Sequence, residues 1–265
     1  MAIIAENLKN IIPFFLKNQI KKIFYWGNKY YCNVCDSNLR KFLPAGVSNS
    51  VINELEIIGA GYHTNDVCPI CNASYRTRSI VAFWESTDID FSGKRILHIA
   101  PEQGLYEYIK KNNPENYICG DIDPKRYSQI NNIVYIDLTD ITFQTESFDL
   151  IICNHVLEHI PDDKKAMSEL YRILSVKGKA ILQVPISFKL QDTLEDPSCN
   201  TPEKRFQKFG QHDHVRIYAM KDYIKRLEKT GFSVSVMNVK DFNLIKKYKK
   251  LALDERENIF ICDKF

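Results

Sequence analysis

The feature that most constrains this chain is an alternation that begins at Lys94. The segments "RILHIA", "YICGDI", "IVYID", "FDLIICN" and "KAILQVPI" read as strands. The segments "LYEYIKKN", "KKAMSELYRIL" and "AMKDYIKRLEKTG" read as helices, the last stopped at Gly231, and "FSVSVMNV" and "NIFICD" close the series. Short apolar strands separated by helices predict an α/β fold with a mostly parallel sheet covered on both faces. Such sheets take their ligands outside the carboxyl ends of the strands. The residues to watch are therefore His98, Ala100, Pro101, Glu102 and Gly104 after the first strand, and Asp121 and Ile122 after the second. Asp137 and Leu138 follow the third, and Asn154, His155, Glu158 and His159 the fourth. Asp121 is placed to take both hydroxyls of a ribose, or simply to cap the next helix.

Ahead of this region stand two Cys-x-x-Cys turns, "YYCNVC" and "DVCPIC", with thirty-two residues between Cys35 and Cys68. One such turn sets two thiolates a metal ion apart, and two complete a tetrahedron. Cys32, Cys35, Cys68 and Cys71 thus predict a closed, structural zinc site in a small ribbon-like module; redox-active or inert cysteines are the alternative. The other four cysteines are scattered, as small buried hydrophobes would be. Arg76 and Arg78 follow the second turn and leave nucleic-acid contact open.

The expected organisation has four parts. Residues 1–29 form an amphipathic helical segment, with Ile4, Leu8, Ile11 and Phe15 at helical spacing, able to pack on the body or on a second copy of the chain. Residues 30–78 form the cysteine module, 79–93 a connecting helix, and 94–265 the α/β domain. Within that domain, 186–219 is an insertion long enough to cover an acceptor pocket. The net charge of +3 is too small to argue for nucleic acid. Neither a membrane-spanning run nor a signal peptide is seen, so a cytoplasmic home is expected.

The stretch "SFDLIICNHVLEHIPDDKKAMSELYRILSVKGKAILQVPI" resembles the class I S-adenosylmethionine-dependent methyltransferases, in the group with a VLEH signature. "ILHIAPEQG" stands at that family's first motif, "GDID" at its second and "IDLTD" at the adenine side. The resemblance covers roughly residues 94–240. It implies a Rossmann-like sheet of seven strands, the last antiparallel, and S-adenosyl-L-methionine as cofactor. It also implies that the turn Ala100–Gly104, with His98 before it, wraps the amino-acid end of the cofactor. Asp121 and Ile122 would hold the ribose, Asp137 and Leu138 the adenine, and Asn154 and His155 the methyl-transfer site. Three positions depart from the family pattern: His98 replaces an acid, and Ala100 and Glu102 replace glycines. Alanine is a mild change if the backbone keeps a negative φ; Glu102 is tolerable if its carboxylate meets the cofactor's ammonium. The whole order, with cysteine turns first and "FGQHDHVRIY" late, looks like a bacterial methyltransferase subgroup.

A methyl acceptor must be aligned in line with the sulfonium, and a hydroxyl acceptor needs a base. His155, His212 and His214 are the candidate bases. His212 and His214 could instead ligate a second metal with Glu195, Asp196 or Asp213, and His214 and Arg216 could simply anchor the loop. Three functions follow: methyl transfer to O or N of a small molecule or sugar, RNA methylation aided by the zinc module and "KKYKK", or a non-catalytic zinc-stabilised binding protein.

Overall fold

A computed structural model describes residues 14–87, 89–241 and 248–265. Among them, the strands expected from Lys94 onward form one sheet of seven: β1 (Arg95–Ile99), β2 (Asn116–Asp121), β3 (Val134–Tyr135), β4 (Phe148–Asn154), β5 (Leu174–Gln183), β6 (Ser233–Asn238) and β7 (Asn258–Asp263). Their spatial order is β3-β2-β1-β4-β5-β7-β6. β1 to β5 are parallel, and β7 runs antiparallel to both β5 and β6. The order reverses between β1 and β4, and the ligand crevice of such a sheet opens at that reversal.

Successive residues of a strand face opposite sides, so β1 and β4 each supply two cores. Leu97, Ile99, Ile151 and Cys153 pack under the helix α3 (Asp163–Ile173), through Met167 and Leu170, and under α4 (Met220–Thr230), through Tyr223 and Leu227. Ile96, Leu150 and Ile152 pack on the other face against α1 (Tyr75–Thr87), through Ile80, Val81 and Trp84, and α2 (Gln103–Lys111), through Leu105 and Ile109. Cys32, Cys68, Leu39 and Phe42 of the cysteine region belong to this second core. That region is therefore packed into the sheet's own hydrophobic face, each buried Leu, Ile or Phe contributing about 1.5–3 kcal/mol.

The connecting helix starts earlier than expected, at Tyr75. Asp66 Oδ1 accepts the Tyr75 amide at 2.9 Å and Ser74 Oγ that of Thr77 at 3.3 Å, which satisfies the first turn. The polar run "SYRTR" hid this start. At its other end, α4 stops at Gly231, whose φ of +118° closes the helix as expected.

The 186–219 segment is folded. Strands Leu194–Glu195, Arg216–Ala219 and Ile186–Ser187 join Ile57–Ile58 of the cysteine region in a small second sheet, and Thr201 caps a helix Pro202–Phe209. The helix Phe14–Tyr25 leaves Ile20, Ile23 and Phe24 exposed. Ile4, Leu8 and Ile11 of the expected amphipathic segment, and Lys246 and Lys247 of "KKYKK", lie outside the described residues. Among the described residues, no helix is long and apolar enough to cross a membrane.

Candidate active site and metal centre

The two cysteine turns close on one point. Cys32 Sγ lies 3.7 Å from Cys71 Sγ, and Cys35 Sγ 3.8 Å from Cys68 Sγ, with all four sulfurs within 4.8 Å of one another. The edge of a tetrahedral zinc–thiolate site with ~2.3 Å bonds is about 3.8 Å, so the donor set fits a zinc ion. Each turn ends in a residue of positive φ, Asp36 at +53° and Asn72 at +60°. Arg78 beside them is no surface cation. It is fully buried, donates to the carbonyls of Leu251, Asp66, Ala73 and Asn65, and lies 3.8 Å over the Phe42 ring. Arg76 donates to Gly59 O at 2.6 Å. These contacts account for the two arginines that sequence offered to nucleic acid.

At the carboxyl ends of β1, β2 and β4 opens a cavity of about 560 Å³. Ala100, Asp121, Ile122, Asp137, Leu138 and His155 line it, together with Tyr127, Thr139 and His159. Asp121 is 6 % exposed; it accepts the Asp123 amide and the Tyr127 hydroxyl, both at 2.7 Å. A carboxylate has about four lone-pair positions, so two remain for a diol. Asp137 accepts the amide and hydroxyl of Thr139, and these bonds hold its carboxyl below the usual range. Ala100 and His155 close the ends of β1 and β4 with φ of +48° and +54°. The negative φ expected at Ala100 is thus corrected, and the two positions store strain of roughly 1–3 kcal/mol each at the cavity.

The remaining first-motif residues lie behind this wall. His98, fully buried, meets Tyr117 Oη at 2.8 Å through Nδ1 and Glu102 Oε2 at 2.9 Å through Nε2. Asn154 donates to Glu102 Oε1 at 3.2 Å, leaving its own Oδ1 buried and unpartnered. Burial opposes the Glu102 charge, but His98 brings its pKa below the usual carboxylate range. Where the family pattern has an acid in the strand and a glycine in the turn, the acid here is Glu102 of the turn, engaged by the His98 imidazole and the Asn154 amide. Pro101 is buried in the same turn. Gly104 faces elsewhere. A Cβ there would lie 2.9 Å from Ala73 Cβ and 3.2 Å from Cys71 O, so this glycine lets α2 meet the cysteine turn rather than a cofactor.

The histidines separate. His212 is exposed, stacked on Phe206 at 4.5 Å and bonded to Pro202 O, away from the cavity; its expected catalytic role has no geometric support. His214 is buried beside Glu158 and His159. His155 Nδ1 sits 3.4 Å from Arg76 Nη1 and 3.6 Å from Glu158 Oε1. Burial, then Arg76, lowers the His155 pKa, and burial brings His214 down to about 4, so both are neutral at pH 7. Against the cost of burial, the three imidazoles bring Glu158 down to about 2. Arg216 donates to the carbonyls of Leu157, Ile160 and Pro161 and to Glu195, and Tyr218 to Leu157 and Asp163, which fixes the turn that carries Glu158.

Residues 86–182 match the family described as Methyltransferase domain. A curated relative, phosphoethanolamine N-methyltransferase 2 of Caenorhabditis elegans, is 24 % identical over 134 residues. Those residues are 51 % of this chain, and the chain spans only about a quarter (26 %) of that relative. The crystal structure of the [4+2]-cyclase SpnF superposes with a TM-score of 0.52 at 13 % identity, covering 83 % of this chain and 99 % of that one. A S-adenosylmethionine-dependent methyltransferase from Archaeoglobus fulgidus gives 0.48 at 13 % identity, covering 73 % and 96 %. Residues 86–182, little more than a third of the chain, thus match a methyltransferase domain, and the seven-stranded sheet that contains them has the Rossmann-like order of S-adenosylmethionine-dependent methyltransferases.

Proposed function

We propose that this chain transfers the methyl group of S-adenosyl-L-methionine to an oxygen or nitrogen of a small-molecule or sugar-type acceptor. The observation that carries the reading is the cavity at the sheet's point of reversal, with Asp121 at its β2 edge and His155 at its β4 edge. Its volume of about 560 Å³ falls in the range of small-ligand pockets. The name of the curated relative favours nitrogen as the acceptor atom. Fold alone does not decide the reaction, since SpnF is described as a cyclase.

When bound, the cofactor supplies a methyl group activated by its sulfonium. The chain's own part is placement. Asp121 offers its free lone pairs to the ribose hydroxyls, with Tyr127 and Asp123 holding the carboxylate still. Asp137, Leu138 and Ile136 wall the adenine. Asn154, whose Oδ1 is buried without a partner, and Glu102 would set negative charge behind the wall on the side of the cofactor's ammonium. His155, neutral and on the wall, takes the acceptor's proton. Cys32, Cys35, Cys68 and Cys71 hold a structural zinc ion that fixes α1 and α2 behind the site.

The test is transfer of labelled methyl from the cofactor into a low-molecular-weight cell extract and, separately, into total RNA. Label is expected in the small-molecule fraction and lost in Asp121→Ala. Label in RNA alone, or label unchanged in Asp121→Ala, contradicts the proposal.

A further inference from the structure

We propose that Glu158, His159 and His214 form a second cation site, for a divalent first-row transition ion, at the wall of the cavity. Glu158 is 1 % exposed, and neither carboxylate oxygen has a hydrogen-bond partner. Its nearest counter-groups are imidazole nitrogens, all beyond hydrogen-bond distance, and a buried carboxylate with no close polar partner is costly. Its Oε1 faces His159 Nε2 at 3.8 Å and His214 Nε2 at 3.9 Å. These gaps are too long for hydrogen bonds. They approach the ~3.4 Å edge of a tetrahedron built with bonds of about 2.1 Å. Closing those two edges by about half an ångström brings them to that length, and the three donor atoms lie within 4.8 Å of one another.

The surroundings orient the donors. His159 Nδ1 lies 3.2 Å from Asp213 O and so carries its proton there, which turns the Nε2 lone pair toward Glu158. The Val215 amide donates to Glu158 O at 3.0 Å, tying the segment of His214 to the turn of Glu158. His155 stays outside the set: its Nδ1 faces the Arg76 guanidinium at 3.4 Å, which repels a cation. Two imidazoles and one carboxylate leave coordination positions open, as catalytic and oxygen-binding centres do. His159 and Asp213 line the cavity, so this site adjoins the space given to the acceptor. An ion there would hold an acceptor oxygen, the class of ligand that such a centre takes.

Zinc is the probe, because imidazole and carboxylate donors suit it and it accepts a tetrahedral set. The full chain is equilibrated with buffered micromolar Zn2+ by dialysis, and bound metal is counted for wild type, Glu158→Gln, His159→Ala, His214→Ala and the remote control His212→Ala. Wild type and His212→Ala should hold one ion more per chain than each of the other three. His159 is one-third exposed, so His159→Ala disturbs the core least and keeps the test decisive if a buried variant misfolds. Equal zinc in wild type and His159→Ala overturns the proposal.

Discussion

The cysteine cluster and the Glu158 cluster are both convergent groups of metal-type donors, yet they are built for different ends. The cysteines sit on two short local turns, their sulfur spacings of 3.7 and 3.8 Å already match a closed tetrahedron, and their neighbours belong to the core beneath the sheet. Glu158 and His159 sit on one short turn, and His214 comes from the insertion fifty-five residues later in the chain. That set is wider, has fewer donors and adjoins a cavity. A saturated, core-embedded set stabilises a fold; an unsaturated one at a cavity wall is left free to bind.

The largest effect should separate the two clusters. Cys68→Ser should cost about 4 kcal/mol or more in urea unfolding, since loss of a structural metal is among the few changes that large. His159→Ala should change stability by less than about 1 kcal/mol while losing the ion. If the two variants unfold alike, the contrast fails.

Glu257 sharpens the comparison, because it is a buried carboxylate with one unpartnered oxygen and no histidine set around it among the described residues. Burial raises its pKa from 4.5 to about 7. A carboxyl whose folded pKa is raised holds its proton longer in the folded state. Its contribution is therefore fully present below about pH 4.5 and lost as pH rises through 7. Relative to wild type, Glu257→Gln should gain stability from pH 5 to pH 8, by roughly 2–3 kcal/mol in total. A constant difference across that range would show that Glu257 stays ionised.

A smaller effect is expected at the first-strand turn. Ala100→Gly relieves a φ of +48° and should raise stability by about 1 kcal/mol at most, because glycine's greater unfolded-state freedom offsets part of the gain. A loss of stability in thermal melts would mean that the methyl packing at Ala100 outweighs the strain.

The seven strands were legible because buried parallel strands are continuous apolar runs, and "FDLIICN" or "NIFICD" has few other uses. The cysteine set was legible because its members come in pairs three residues apart. The Glu158 set was not. Sequence pointed to His212 and His214 with Asp213, whereas the fold sends His212 outward onto Phe206 and brings His214 back to Glu158. The usable signal was Glu158 beside His159, three residues after His155, on a turn rather than a long helix. Gly104 misled for a related reason, and Arg78, for which nucleic-acid contact was only left open, is explained the same way. A glycine in a ligand turn and an arginine in a polar run look functional, until a neighbouring segment from another part of the chain packs against each.

The proposed activity requires that the cavity at the reversal of strand order hold the cofactor through Asp121. Titration calorimetry with S-adenosylhomocysteine on wild type and Asp121→Ala tests it most directly. One saturable site per chain is expected in wild type, with a loss of at least ~100-fold, about 2.7 kcal/mol, in the variant. Absence of binding at high micromolar concentration in wild type, or equal affinity in Asp121→Ala, would contradict it.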